Sequence, residues 1–291
     1  MRKFTGTGVA IVTPFKNDSS VDFISLSKLI DFLVSNNVDY LVVLGTTGES
    51  VTLTKAERRA VVDCVIEAND NKVPIVVGIG GNNTREIVTK IRKTKFRNID
   101  GILSVAPYYN KPGQKGIYLH YKTIADNCPV PVVMYNVPGR TGVNIGYETT
   151  LKLAHETQNI AAIKEASGNL EQIGRIIRDK PDDFLVVSGD DALTLPVIAL
   201  GGSGVISVLA NAFPKEWSEM VGLAIKGDFN AARSIHFRFS DVIEALFTEG
   251  NPAGVKAVMA NKNLIQNQLR LPLTPVSRSL YTKLNKMIEE I

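Results

Sequence analysis

The sequence predicts an α/β protein: a (β/α)8 TIM barrel with a C-terminal helical appendage. Three observations carry that expectation. Short apolar runs rich in Val and Ile recur eight times, amphipathic stretches separate them, and from about Pro214 onward only helical patterns follow. A chain of 291 residues, 44% of them hydrophobic, suits one large core rather than several small ones. The expected division is residues 1–224 for a barrel catalytic domain and 225–291 for a helical region.

The expected strands are Gly8–Val12, Tyr40–Leu44, Ile75–Ile79, Gly101–Val105, Val132–Tyr135, Ile160–Lys164, Phe184–Val187 and Gly204–Ser207. Each is too continuously apolar for a strand with one wet face, as expected of a parallel sheet covered by helices. Helical patterns occupy Phe23–Asn36, Lys55–Asn69, Thr84–Thr94 and Gln114–Asn127. The third opens on Asn83-Thr84-Arg85-Glu86, a side-chain cap followed by an early acidic residue. A doubly wound open sheet is the alternative, but no glycine fingerprint follows the first strand. Further helices are expected at Trp217–Ile225, Phe229–Glu244, Ala253–Asn261 and Pro275–Ile291.

Composition narrows the function classes. The formal net charge is only +4, with both signs interspersed. The densest basic stretch, Lys90 to Arg97, reads as a solvated helix face, so no nucleic-acid partner is expected. Cys64 and Cys128 form no CxxC pair, and Met1-Arg2-Lys3 leads into an apolar run that Pro14 soon interrupts. No run approaches the roughly 18 residues of a membrane span. The expectation is a cytoplasmic protein without a membrane partner.

In a barrel, reactive groups belong at the C-terminal ends of strands and on the loops that follow. Lys164 ends an otherwise apolar run, where poor solvation of an ammonium favours the neutral, nucleophilic amine. A lysine snorkelling to water is the simpler alternative. On the preceding strand Tyr135 can place a hydroxyl in the barrel mouth as a proton relay, and Arg140 can clamp a carboxylate. Gly45-Thr46-Thr47-Gly48-Glu49-Ser50 offers hydroxyls and N–H groups to a carboxylate, or forms a plain turn with a helix cap. Tyr108 and Tyr109 read as packing or subunit-contact residues. Asp190 and Asp191 read as structural or capping groups, and the scattered His120, His155 and His236 imply no metal. Gly201 to Gly204 sit near the eighth strand, where barrels often hold phosphate, but no extra cation accompanies them. Together the lysine, tyrosine, hydroxyls and arginine suit carbonyl chemistry through an imine.

Over essentially its full length the chain resembles the pyruvate-dependent class I aldolase and N-acetylneuraminate lyase superfamily, and within it the dihydrodipicolinate synthase (4-hydroxy-tetrahydrodipicolinate synthase) family. The resemblance rests on Gly45–Ser50, Pro107–Pro112, Tyr135–Gly142, Ile163–Gly168, Ser188–Asp191 and Asn251-Pro252. The Thr46-Thr47 pair and Gly139-Arg140-Thr141-Gly142 favour the synthase branch over N-acetylneuraminate lyases. The resemblance implies a Schiff base between Lys164 and pyruvate, with Tyr135 as proton shuttle. It makes Thr46 and Tyr109 the rest of the relay, Tyr109 reaching in from a neighbouring subunit of a homotetramer. Thr47 would hold the pyruvate carboxylate and Arg140 that of L-aspartate 4-semialdehyde, with Gly189, Asp190 and Ile206 lining the pocket. No external cofactor is implied.

Many family members are inhibited by L-lysine at a subunit interface, and Ser50, Asn82, Glu86 and Tyr108 fit that site. Lys55 and Arg58 stand where sensitive enzymes tend to have imidazoles, and permanent cations there should repel an incoming ammonium. Two rival readings are a related lyase such as N-acetylneuraminate lyase and a non-catalytic barrel that binds a keto acid.

Overall fold

A computed structural model describes residues 2–291. Eight parallel strands close into a barrel in sequential order: β1 (Gly6–Ala10), β2 (Tyr40–Val43), β3 (Ile75–Gly78), β4 (Gly101–Val105), β5 (Val132–Asn136), β6 (Ile160–Glu165), β7 (Leu185–Ser188) and β8 (Gly204–Ser207). Helices α1 (Phe23–Ser35), α2 (Lys55–Asn69), α3 (Thr84–Lys93) and α4 (Gln114–Asp126) follow the first four strands. Between β5 and β8 lie α5 (Pro138–Thr141), α6 (Tyr147–Glu156), α7 (Leu170–Asp179) and α8 (Thr194–Ala199). The chain ends in α9 (Pro214–Ile225), α10 (Phe229–Phe247), α11 (Ala253–Asn261) and α12 (Arg278–Glu289).

All eight expected strands are present, within two residues at either end. The first differs most, because the N–H of Val12 donates to the Asn211 side chain rather than to a neighbouring strand. The Asn83 side chain does cap α3, accepting from the N–H groups of Arg85 and Glu86. The sequence reading does not single out α5 to α8. Two of them span only 4 and 6 residues, too few to display a helical period.

Strand alternation divides the apolar residues between two cores. Inside the barrel, Ala10, Val42, Val76, Leu103, Val133, Ala162, Val187 and Ile206 meet, over a floor of Phe4 and Tyr40. Outside, the alternate residues of the strands pack beneath the helix ring. Among the described residues no helix is long and apolar enough to cross a membrane.

Helix α9 packs on β1 and β8, and α10 packs on α9. A buried ion pair then ties α11 to the loop after β2. Lys256 Nζ lies 2.5 Å from Glu49, with both side chains fully enclosed. Lys256 also donates to the Gln268 carbonyl at 2.9 Å, and Glu49 accepts from the Arg270 N–H at 3.1 Å. Burial pulls the Lys256 ammonium down to about 8, with the Glu49 charge opposing that fall.

Removing one member strands the other without a counter-charge in a place water does not reach. Lys256→Met should therefore cost about 3–5 kcal/mol of folding free energy, read from urea unfolding. An unchanged unfolding midpoint would show that the pair contributes nothing to holding the appendage on the barrel.

Candidate active site

The centre of the site follows from the pairing of β5 with β6. Tyr135 stands opposite Lys164 in the parallel ladder, and both belong to the inward-facing phase of their strands. Lys164 is 4% exposed, and its Nζ lies 4.4 Å from the centroid of the Tyr135 ring. Among the described residues Lys164 makes no ion pair. Its amine therefore faces an aromatic π-surface instead of a carboxylate. Gly189, at the end of β7, leaves the room for this side chain. A Cβ there would sit 2.9 Å from Lys164 Cε and 2.8 Å from Ala166 Cβ.

One residue further along each strand, the side chains point outward and lock the pairing. Asn136 donates from Nδ2 to both Glu165 oxygens at 3.0 and 3.1 Å, and Gln172 donates to Glu165 at 3.0 Å. The Ser167 N–H adds another bond at 2.9 Å, and Ile145 N–H donates to Asn136 Oδ1. Burial pushes the Glu165 carboxyl up, while these hydrogen bonds hold it down. The sequence reading missed this network. Its one signal was a second charged residue directly after Lys164 in an apolar run.

The loop after β2 is bent by two residues in the left-handed region, Leu44 at φ +59° and Glu49 at φ +50°. Thr47 is 3% exposed, and its Oγ1 accepts from Asn251 Nδ2 at 3.0 Å. The carbonyl of the same Asn251 accepts from Arg140 at 3.3 Å. One asparagine thus joins the hydroxyl loop to the arginine. The Asn251 Oδ1 atom is buried without a partner among the described residues.

A cavity of about 550 Å³ opens over this region, lined among others by Gly45, Thr46, Ser50, Arg58, Lys90, Tyr108, Tyr135 and Arg140. The structure thus brings Thr46, Tyr135 and Arg140 to one cavity. Lys164 is not a lining residue and is joined to it through the Tyr135 ring. Tyr109 is 89% exposed with φ +73°, so it stands away from this chain's own cavity. Ile206 belongs to the barrel interior. Of the candidate lysine-site residues, Ser50, Arg58 and Tyr108 line the cavity, and Asn82 donates to the Tyr108 carbonyl at 3.1 Å. Lys55 and Glu86 are exposed and outside the lining.

Lys90 is not part of a solvated helix face: it turns into the cavity, where burial and the nearby Arg58 charge lower its affinity for a proton. Gly201 to Gly204 precede β8 and so lie at the end of the barrel opposite the cavity. There Gly204, at φ +140°, lets two backbones meet, since a Cβ would fall 2.0 Å from the Gly6 oxygen. Asp190 and Asp191 have distinct structural tasks. Asp191 is buried and accepts from Ser207 Oγ and the N–H groups of Val208 and Leu209. Asp190 Oδ1 accepts from the Ala192 N–H at 2.9 Å, and its side chain does not line the cavity.

Among the described residues, no three of His, Cys, Asp and Glu gather in a way that could hold a metal ion.

This architecture has close relatives. The model of the dihydrodipicolinate synthetase family matches residues 3–291. The 4-hydroxy-tetrahydrodipicolinate synthase of Parabacteroides distasonis is 51% identical over 286 residues, covering 98% of this chain and 96% of its own. That of Azobacteroides pseudotrichonymphae is 52% identical over 283 residues, covering 97% and 96%. The crystal structure of dihydrodipicolinate synthase from Aquifex aeolicus superposes with a TM-score of 0.95 at 42% identity, over 99% of this chain and 98% of that one.

The contact between Gly189 and the lysine stem gives a direct test. Gly189→Ala should displace Lys164 and lower its rate of adduct formation with a small keto acid by on the order of 10²-fold. Hydride trapping followed by intact-mass measurement reads the rate, and circular dichroism checks the fold.

Proposed function

Because the chain belongs to the dihydrodipicolinate synthetase family, we propose that it condenses pyruvate with L-aspartate 4-semialdehyde to give 4-hydroxy-tetrahydrodipicolinate. It is thus a lyase of lysine and diaminopimelate biosynthesis. The observation that carries the assignment within this chain is Lys164, buried against the face of Tyr135 without a carboxylate partner among the described residues.

The reaction follows from that pair. The Lys164 amine adds to the pyruvate carbonyl, and loss of water leaves an imine. The imine draws electrons from the methyl carbon, a proton leaves, and the resulting enamine attacks the aldehyde. The amino group of the second substrate then displaces Lys164 by transimination and closes the ring. Tyr135 moves the protons, within reach of the lysine through the β5–β6 register. Thr46, on the cavity wall, continues the relay. Tyr109 completes it from a neighbouring copy in a homotetramer, a role its outward-facing position suits.

Thr47 and the surrounding backbone hold the pyruvate carboxylate, and Asn251 fixes its hydroxyl. Arg140 meets the carboxylate of the semialdehyde at the cavity wall. Gly189 and Ile206 shape the space around the imine, and Asp190 holds the turn beside Gly189. The protein works in the cytoplasm, where pathways of this kind operate. Feedback by L-lysine is weak or absent, because Arg58 in the cavity opposes an ammonium and Lys55 adds further positive charge nearby.

Borohydride reduction in the presence of pyruvate should add one reduced pyruvate to the peptide bearing Lys164 and to no other. A mass that stays unaltered while turnover continues would sink the assignment. Tyr135→Phe should lower kcat by about 10²–10⁴-fold, measured in a coupled assay. An L-lysine titration should show no half-inhibition from the micromolar into the low-millimolar range.

A further inference from the structure

The cavity wall carries three cations, Arg58, Lys90 and Arg140, and no aspartate or glutamate. Arg140 is engaged with the Asn251 carbonyl. Arg58, on α2, donates from Nε to the Leu53 carbonyl at 3.0 Å, which leaves the terminal nitrogens of its guanidinium for another partner. Lys90, on α3, makes no ion pair among the described residues. Glu86 stands one turn before it but does not come within ion-pair distance.

Two neighbouring cations on different helices, half-withdrawn from water and without a carboxylate, repel one another. Both line the same cavity, and an anion bound there would relieve the repulsion. Ser50 and Tyr108 add hydroxyls on the same wall. The cavity volume of about 550 Å³ is ample for a small organic or inorganic anion.

We infer that Arg58 and Lys90, with Ser50 and Tyr108, form a binding site for a small dianion, a dicarboxylate or a phosphate, in the outer part of this cavity. Lys90 is the distinguishing member, because it turns a single arginine into a site for two negative charges. The inference rests on the charges and shape of the cavity, independently of the chemistry at Lys164.

The test is isothermal titration of the full chain with inorganic phosphate and, separately, with succinate, at fixed ionic strength and without substrates. Saturable one-site binding of either probe is expected, and the stronger probe identifies the anion class. Lys90→Gln and Arg58→Gln should each weaken it at least tenfold, Lys90→Arg should retain it within about threefold, and the remote Lys283→Gln should leave it unchanged. Thermal melts establish that each variant is folded. Failure of both probes to bind the wild-type chain, or binding that persists at full strength in Lys90→Gln, would overturn the inference. Because substrates are absent, neither result bears on the condensation reaction.

Discussion

The active site depends on the register between two adjacent strands. Side chains alternate along a strand, so a slip of one residue would turn Lys164 out of the barrel and bring Glu165 in. Tyr135 opposite Lys164 and Asn136 opposite Glu165 are two consequences of a single alignment. The inward pair is the one to which we assign the chemistry, and the outward pair makes the alignment specific. An asparagine amide and a carboxylate buried side by side have satisfied hydrogen bonds only in this register.

A second constraint acts from the far end of the chain. The loop after β2 holds its hydroxyls through contacts with residues that lie beyond the barrel in sequence. Asn251 reaches Thr47, Lys256 meets Glu49, and Arg270 closes over Glu49 and Glu57. The helical appendage therefore backs the cavity wall, because it supplies the rigid support that a loop rich in glycine and threonine lacks. Arg140, bonded to the carbonyl of that same Asn251, shares the support.

Much of this was legible in the residues. Continuous apolar runs separated by amphipathic stretches located all eight strands, since strands buried on both faces have a pattern that few loops imitate. Lys164 stood out because an apolar strand rarely ends in an ammonium. The parts that escaped depend on distant encounters. Nothing local to Lys90 distinguishes a cation facing a cavity from one facing solvent, since α2 must first bring Arg58 beside it. Glu49 read as one member of a turn, and its buried role follows only from a lysine on α11. The glycines before β8 were located by sequence but not by end, and only the direction of a parallel strand separates a mouth from a floor.

The Glu49–Lys256 contact joins positions 207 residues apart. During synthesis, the carboxylate leaves the ribosome long before the amine that neutralises it exists. The barrel strands can assemble in the interval, yet the loop after β2 stays unsupported until the last tenth or so of the polypeptide emerges. Maturation of this enzyme is thus gated by its own tail, and a truncated product with an intact ring of strands would be a shape without a working mouth.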